Sequence, residues 1–229
     1  MKKHIIRYAS FAFAILGMVS CSEEQETALR PQDAKSTPMT FLVSHPGQAT
    51  RATETSFEQN DRIGLYVADA KAQLEIGGNL VNNEALTYNG SKWAAARTLY
   101  WDKGTYTAYA YYPYMEDVSS ITDQPFSVVL DQSTAKSKET LGGYEASDLL
   151  FASSKNISAS ASPIPLNFKH IMSKLKIRLI KGEDFEGDMP TTGQVTIHNT
   201  VPTATIDLQA GVATRYVKGT RKSIIAHQD

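Results

Sequence analysis

Residues 105–112, Thr-Tyr-Thr-Ala-Tyr-Ala-Tyr-Tyr, offer no solvent side, and that stretch constrains the fold more than any other. In an extended segment Tyr106, Ala108, Ala110 and Tyr112 share one face, and Thr107, Tyr109 and Tyr111 share the other. Such a strand needs cover on both faces, and Pro113 stops it. Period-two patterns recur at Ile63, Leu65 and Val67, and at Leu175, Ile177 and Leu179, where Lys176 and Arg178 face water. Residues 195–197 and 205–208 repeat the pattern in shorter form, and no amphipathic helix longer than a few turns is legible. The 11 tyrosines against 2 tryptophans suit half-buried strand positions. We expect an all-β chain.

Further strands are expected at residues 39–43, ended by Pro46-Gly47, and at 62–67 behind an Asn60-Asp61 turn. Asn89-Gly90 predicts a two-residue type I′ hairpin that sets Tyr88 opposite Ser91 and Leu86 opposite Trp93. Leu86, Tyr88 and Trp93 then share a face, with Thr87 and Lys92 on the other. Residues 99–101, 126–130, 149–152 and 164–168 complete a first set of strands, with a long polar loop over 131–147.

The N-terminus reads as an address. Lys2, Lys3, His4 and Arg7 form a positive region, residues 8–19 an apolar one, and Ser20 precedes Cys21, the only cysteine. The run is too short to span a bilayer. Met18-Val19-Ser20-Cys21 resembles the bacterial lipobox, with methionine where leucine is usual. Cleavage between Ser20 and Cys21 and lipid on the thiol would also explain a lone cysteine in an exported chain. Several acyl chains, at about 0.8 kcal/mol per buried methylene, anchor a protein firmly. Residues 1–20 thus read as a lipoprotein signal peptide, the alternative being a plain secretory signal with an incidental thiol, and 21–38 as a flexible tether. The Ser22-Glu23-Glu24-Gln25-Glu26 cluster resembles the surface-export signal of Bacteroidetes lipoproteins; a solvated linker is the plainer reading.

The formal net charge of −1 gives no electrostatic reason to expect nucleic acid as a partner. No nucleophile elbow, zinc-binding helix motif, paired cysteines or phosphate loop occurs. His45, His170, His198 and His227 lack ligand spacing, and His170 reads as a strand-end histidine satisfied by backbone. We expect neither an enzyme nor a cofactor or metal.

Phe57-Glu58-Gln59-Asn60-Asp61-Arg62-Ile63-Gly64-Leu65-Tyr66-Val67, Tyr88-Asn89-Gly90 with Trp93, Tyr100-Trp101 and Tyr109-Ala110-Tyr111-Tyr112-Pro113-Tyr114 follow one another in an order that resembles the fimbrillin-like proteins of Bacteroidales. Asp131-Gln132-Ser133, Ser147-Asp148-Leu149-Leu150 and Leu166-Asn167-Phe168-Lys169-His170 continue it, so the resemblance covers residues 51–179. It implies two transthyretin-like Greek-key β-sandwich domains in tandem, the first over 39–168. Residues 169–229 offer only three or four short strands where a sandwich needs roughly seven, so they read as an incomplete, C-terminally truncated second β-sandwich domain.

The resemblance further implies a type V pilus subunit, anchor or tip, delivered as a lipoprotein to the cell outer membrane. An arginine-specific protease would remove the first strand, and a strand from another fimbrial subunit would fill the groove by β-augmentation. Arg51, in Thr50-Arg51-Ala52, lies where such a cut would fall, and it is equally readable as an exposed loop arginine. A cut at Arg30 would leave the first strand attached. Implied partners are other subunits by donor-strand insertion, the outer membrane through Cys21, and a host or bacterial surface ligand. The rival expectation is a surface glycan-binding lipoprotein that stacks sugars on Trp93, Trp101 and Tyr111.

Overall fold

The computed structural model describes residues 37–47 and 56–228. The signal peptide, Ser20, Cys21, Arg30 and Arg51 lie outside the described residues. In chain order the strands are β1 (Phe41–Ser44), β2 (Arg62–Asp69), β3 (Val81–Tyr88), β4 (Trp93–Ala95), β5 (Thr105–Tyr112), β6 (Gln124–Ser127) and β7 (Leu150–Ser158). They continue with β8 (Ile164–Asn167), β9 (Lys169–His170), β10 (Thr196–Thr200), β11 (Thr203–Asp207), β12 (Val212–Arg215) and β13 (Lys222–Ile225). The helical content described is one 3₁₀ turn, Glu145–Ser147, so the all-β expectation holds.

An antiparallel sheet of order β4-β3-β2-β5-β7-β9 forms the middle layer. β2 and β5 sit at its centre, and both are buried on both faces, as the doubly apolar sequence of β5 requires. On one face Ile63, Leu65, Val67, Tyr106 and Tyr112 build a core closed by β1, β8, Leu99 and Trp101. On the other, Tyr66, Tyr109, Tyr111 and Phe151 build a second core closed by Leu74, Ile121, Phe126, Ile206 and Leu208. Each fully buried Leu or Ile here contributes about 1.5–3 kcal/mol of apolar transfer.

The cover on the second face crosses the boundary expected after residue 168. β6, which precedes that boundary, pairs antiparallel with β11, which in turn pairs with β12. Burial explains this, because Ile206 and Leu208 find their apolar surroundings on the central sheet. Gly211, at φ +67°, turns the β11–β12 hairpin directly over Phe151, where a β-carbon would stand 2.1 Å from the ring. β10 and β13 form a separate two-stranded sheet.

Four local expectations need correction. The Asn89-Gly90 hairpin is two residues looser than expected, so Tyr88 faces Trp93 and Leu86 faces Ala95. The cause is the Asn89 side chain: its Oδ1 accepts from the amides of Ser91 and Lys92 at 3.0 and 2.9 Å, and only Gly90 of the pair takes positive φ. A slip of two preserves the faces, and the rings of Tyr88 and Trp93 lie 5.2 Å apart. Residues 99–101 form only one bridge, Pro38 to Tyr100. β6 begins two residues before the strand expected at Phe126. The strand expected at Leu175–Leu179 does not form, because among the described residues no strand runs alongside it and no apolar face covers it.

Candidate functional site

Thr37-Pro38-Met39-Thr40-Phe41-Leu42-Val43-Ser44 keeps a strict period of two. Thr37 and Met39 are buried and Phe41 and Val43 half-buried, while Pro38, Thr40, Leu42 and Ser44 face out. Met39, Phe41 and Val43 pack into the first core. The backbone is held along both edges. On one side Met39 N–H donates to Leu99 O at 2.8 Å, and Trp101 N–H donates to Thr37 O at 3.0 Å. On the other, β1 runs parallel to β8 in the register Phe41↔Ile164 to Ser44↔Asn167. Ile164 N–H donates to Thr40 O at 2.8 Å and Phe168 N–H to Ser44 O at 3.1 Å. Ser44 Oγ donates to Asn167 Oδ1 at 2.8 Å.

The leading segment therefore lies in a seat walled by residues 99–101 and β8, with Met39, Phe41 and Val43 turned into the first core. Main-chain groups hold it in place, and alternate side chains set its register. Such a seat can hold any extended segment with apolar residues at the same alternate positions.

Phe57 plugs the far end, edge-to-face with Trp93, Tyr112 and Phe168 at 5.0, 5.5 and 5.6 Å. His45, the residue after β1, stacks edge-on against Phe57 at 4.8 Å and accepts the Gly47 amide on Nδ1 at 3.0 Å. His45 lies 6.1 Å from the His170 ring, whose Nδ1 stands 2.8 Å from Asp148 Oδ1. The partner of His170 is thus a carboxylate rather than the backbone expected for it. Burial, and then the neighbouring His170, hold the His45 pKa below 6.5 against the opposing fields of Asp148 and Asp61. A cleft of about 350 Å³ opens here between Phe41, Val43, His45, Phe57 and Trp93. The chain that carries Arg51 leaves the described residues at Gly47 and returns at Ser56.

A polar clasp lies nearby. Asp61, 4% exposed, receives the Glu58 amide at 2.8 Å and Lys136 Nζ at 2.7 Å, while Lys136 also reaches Glu58 at 3.2 Å. This pair ties the long loop of residues 131–147 to the start of β2. Sequence reasoning missed it, as it missed the role of Phe57. A lone phenylalanine among polar residues just before β2 was the only available signal.

Trp93, Trp101 and Tyr111 are 8%, 1% and 1% exposed. They are core residues, so the open stacking face expected for a glycan binder does not form from them. Burial satisfies their large apolar surfaces, and Tyr111 O–H donates inward to Asn83 Oδ1 at 2.6 Å. Among the described residues no three His, Cys, Asp or Glu side chains are grouped to hold a metal ion. No helix among them is long and apolar enough to cross a membrane.

The family model described as fimbrillin-like matches residues 50–229. A protein of Bacteroides ovatus provisionally named a fimbrium tip subunit is 26% identical over 198 residues, which is 78% of this chain and 36% of that protein. A provisionally named fimbrium subunit of Bacteroides uniformis is 26% identical over 235 residues, covering 100% of this chain and 73% of that protein. The chain thus spans little more than a third of the first relative, at 36%. A crystal structure from Bacteroides uniformis, provisionally described as a cell adhesion protein, matches with a TM-score of 0.60 at 24% identity over 84% of this chain and 72% of that one. One from Bacteroides ovatus with the same description matches with a TM-score of 0.56 at 18% identity, over 84% and 73%. At these identities the likeness speaks to the fold.

Proposed function

We propose that this chain, which belongs to the fimbrillin-like family, serves as a fimbrial subunit or fimbria-associated surface protein whose leading strand is exchanged on assembly. The seat of residues 37–44 carries the reading. It is held by main-chain hydrogen bonds on both edges and by apolar side chains at alternate positions, a mode that a strand from a neighbouring subunit can reproduce. Vacating it would uncover the part of the first core that Met39, Phe41 and Val43 fill, and that exposed apolar surface would drive the replacement. The role is structural and adhesive, not catalytic. The relatives named as fimbrium subunits support the same reading.

In this reading Cys21 carries the lipid that delivers the chain to the outer membrane, with Ser20 at the peptidase cut. Cleavage at Arg51 separates the leading strand from the rest of the fold. Cys21 then serves only for delivery, whereas an uncut chain stays anchored. Residues 169–229 supply β11 and β12 to the central packing, while β10 and β13 pair with each other.

An arginine-specific protease tests the reading. The expected result is a cut at Arg51, whatever becomes of other exposed arginines such as Arg178, after which an excess synthetic peptide of residues 36–46 exchanges with the resident segment. A chain left intact, or cut only at Arg30, would overturn strand release. A cut chain that never exchanges its leading segment would overturn donor-strand assembly.

A further inference from the structure

Every residue from 173 to 194 is exposed, including Leu175, Ile177, Leu179, Phe185 and Met189. No strand is described in this stretch. Exposed alternating apolar residues of this kind are a template for pairing with another strand. Their order is also unusual. Residues 174–181 carry Lys174, Lys176, Arg178 and Lys181 with no acid, and residues 183–188 carry Glu183, Asp184, Glu186 and Asp188 with no base. Gly182 separates the two blocks.

An antiparallel ribbon with a two-fold axis at Gly182 sets Leu175 opposite Met189, Leu179 opposite Phe185 and Lys181 opposite Glu183 on one face. On the other face it sets Lys176 opposite Asp188 and Arg178 opposite Glu186. Two apolar pairs and three opposite-charge pairs form, each twice, while Ile177 faces Gly187 and Ile180 faces Asp184. Other self-registers do worse: an axis at Ile177 matches the apolar face but puts Lys176 opposite Arg178, and like charges directly opposite repel.

We infer that residues 174–189 are a self-complementary strand by which two copies of this chain associate side by side about Gly182. The inference does not depend on the leading-strand reading. Forming the ribbon straightens a turn in which Phe185 N–H donates to Gly182 O at 3.2 Å, and frees Lys181 Nζ from Gly187 O at 2.6 Å. Both contacts are exposed, and water replaces them. Gly187, at φ +86°, has no β-carbon to oppose extension.

Sedimentation equilibrium of the chain, with Arg178→Glu and Glu186→Arg variants, tests the pairing. The chain is expected to dimerise. Either reversal places like charges opposite each other twice in the dimer and weakens association about tenfold. The double variant, and an equimolar mixture of the two single variants, restore it. A monomer at all concentrations overturns the inference, as does a dimer indifferent to either reversal. Rescue by the double variant but not by the mixture would also overturn it, because the ribbon would then close within one chain.

Discussion

Gly64 on β2 lies directly opposite Tyr111 on β5, and a β-carbon on Gly64 would stand 2.3 Å from the phenol ring. The ring lies over the bare backbone and occupies the space a side chain would need. Gly64→Ala is therefore expected to destabilise the protein by about 1–3 kcal/mol, the usual cost of overpacking. Urea denaturation measures it, and an unchanged midpoint would show that the ring is free to move away.

The leading strand has an inside and an outside that mutation separates. Met39→Asp places an unpaired carboxylate among the first-core residues and should unseat residues 37–44. Leu42→Asp, at a position 63% exposed, should change stability by no more than about 0.5 kcal/mol. Amide hydrogen exchange at Ile164 and Phe168, whose N–H groups bond the leading segment, reports each outcome.

Lys136→Met leaves the Asp61 carboxylate buried with only the Glu58 amide and the Tyr112 hydroxyl near it. The loss should be about 2 kcal/mol, since one partner of a largely buried pair is removed. Burial alone would lower the Lys136 pKa; its bonds to Asp61 and Glu58 outweigh that and hold it above 10.5. The contribution of the pair is accordingly full below pH 10.5 and fades as pH climbs through the raised value. Denaturation midpoints of the two proteins should converge in that alkaline range and stay apart at pH 8.

His45 works in the opposite direction. The unfolded chain takes up a proton near pH 6.5 and the folded one only below it, so stability falls as pH drops from 6.5 toward the depressed value. His45→Asn should flatten that slope. Melting temperatures at pH 7.5 and 5.0 decide it, and equal acid losses in the two proteins would assign the slope to other groups.

Ile206 is fully buried in the core shared with Tyr109 and Phe151. Ile206→Ala is expected to cost about 2–5 kcal/mol. Ending the chain after His170 should expose the second face of the central sheet to a hydrophobic dye. A dye-silent, cooperatively melting fragment of residues 37–170 would show that the expected boundary does mark an independent unit.

Strands whose alternation decided their surroundings were legible in the sequence. β5 declared cover on both faces because its tyrosines left no wet side, and Ile63, Leu65 and Val67 fell together in one core. What failed depended on groups that local pattern does not include. The Asn89 carboxamide took two amides and loosened a turn that backbone preference alone would have tightened. Leu175, Ile177 and Leu179 have strand alternation but no neighbouring strand among the described residues, and alternation cannot bury a side chain without one. Asp61 and Lys136 are 75 positions apart, and neither has a neighbour in sequence that announces the other. Cys21 and Arg51 are legible as residue types, yet the roles proposed for them would be chemistry performed by other proteins.

The parallel pairing of β1 with β8 also imposes an order of events. Ser44 meets Asn167 across 123 positions of chain, so the seat has no second wall until residue 167 is available. The first strand to emerge is among the last to find its place, because a contact that closes so long a loop forms late. Until then the leading segment has no parallel partner, and the fold that will hold it is not yet able to receive it.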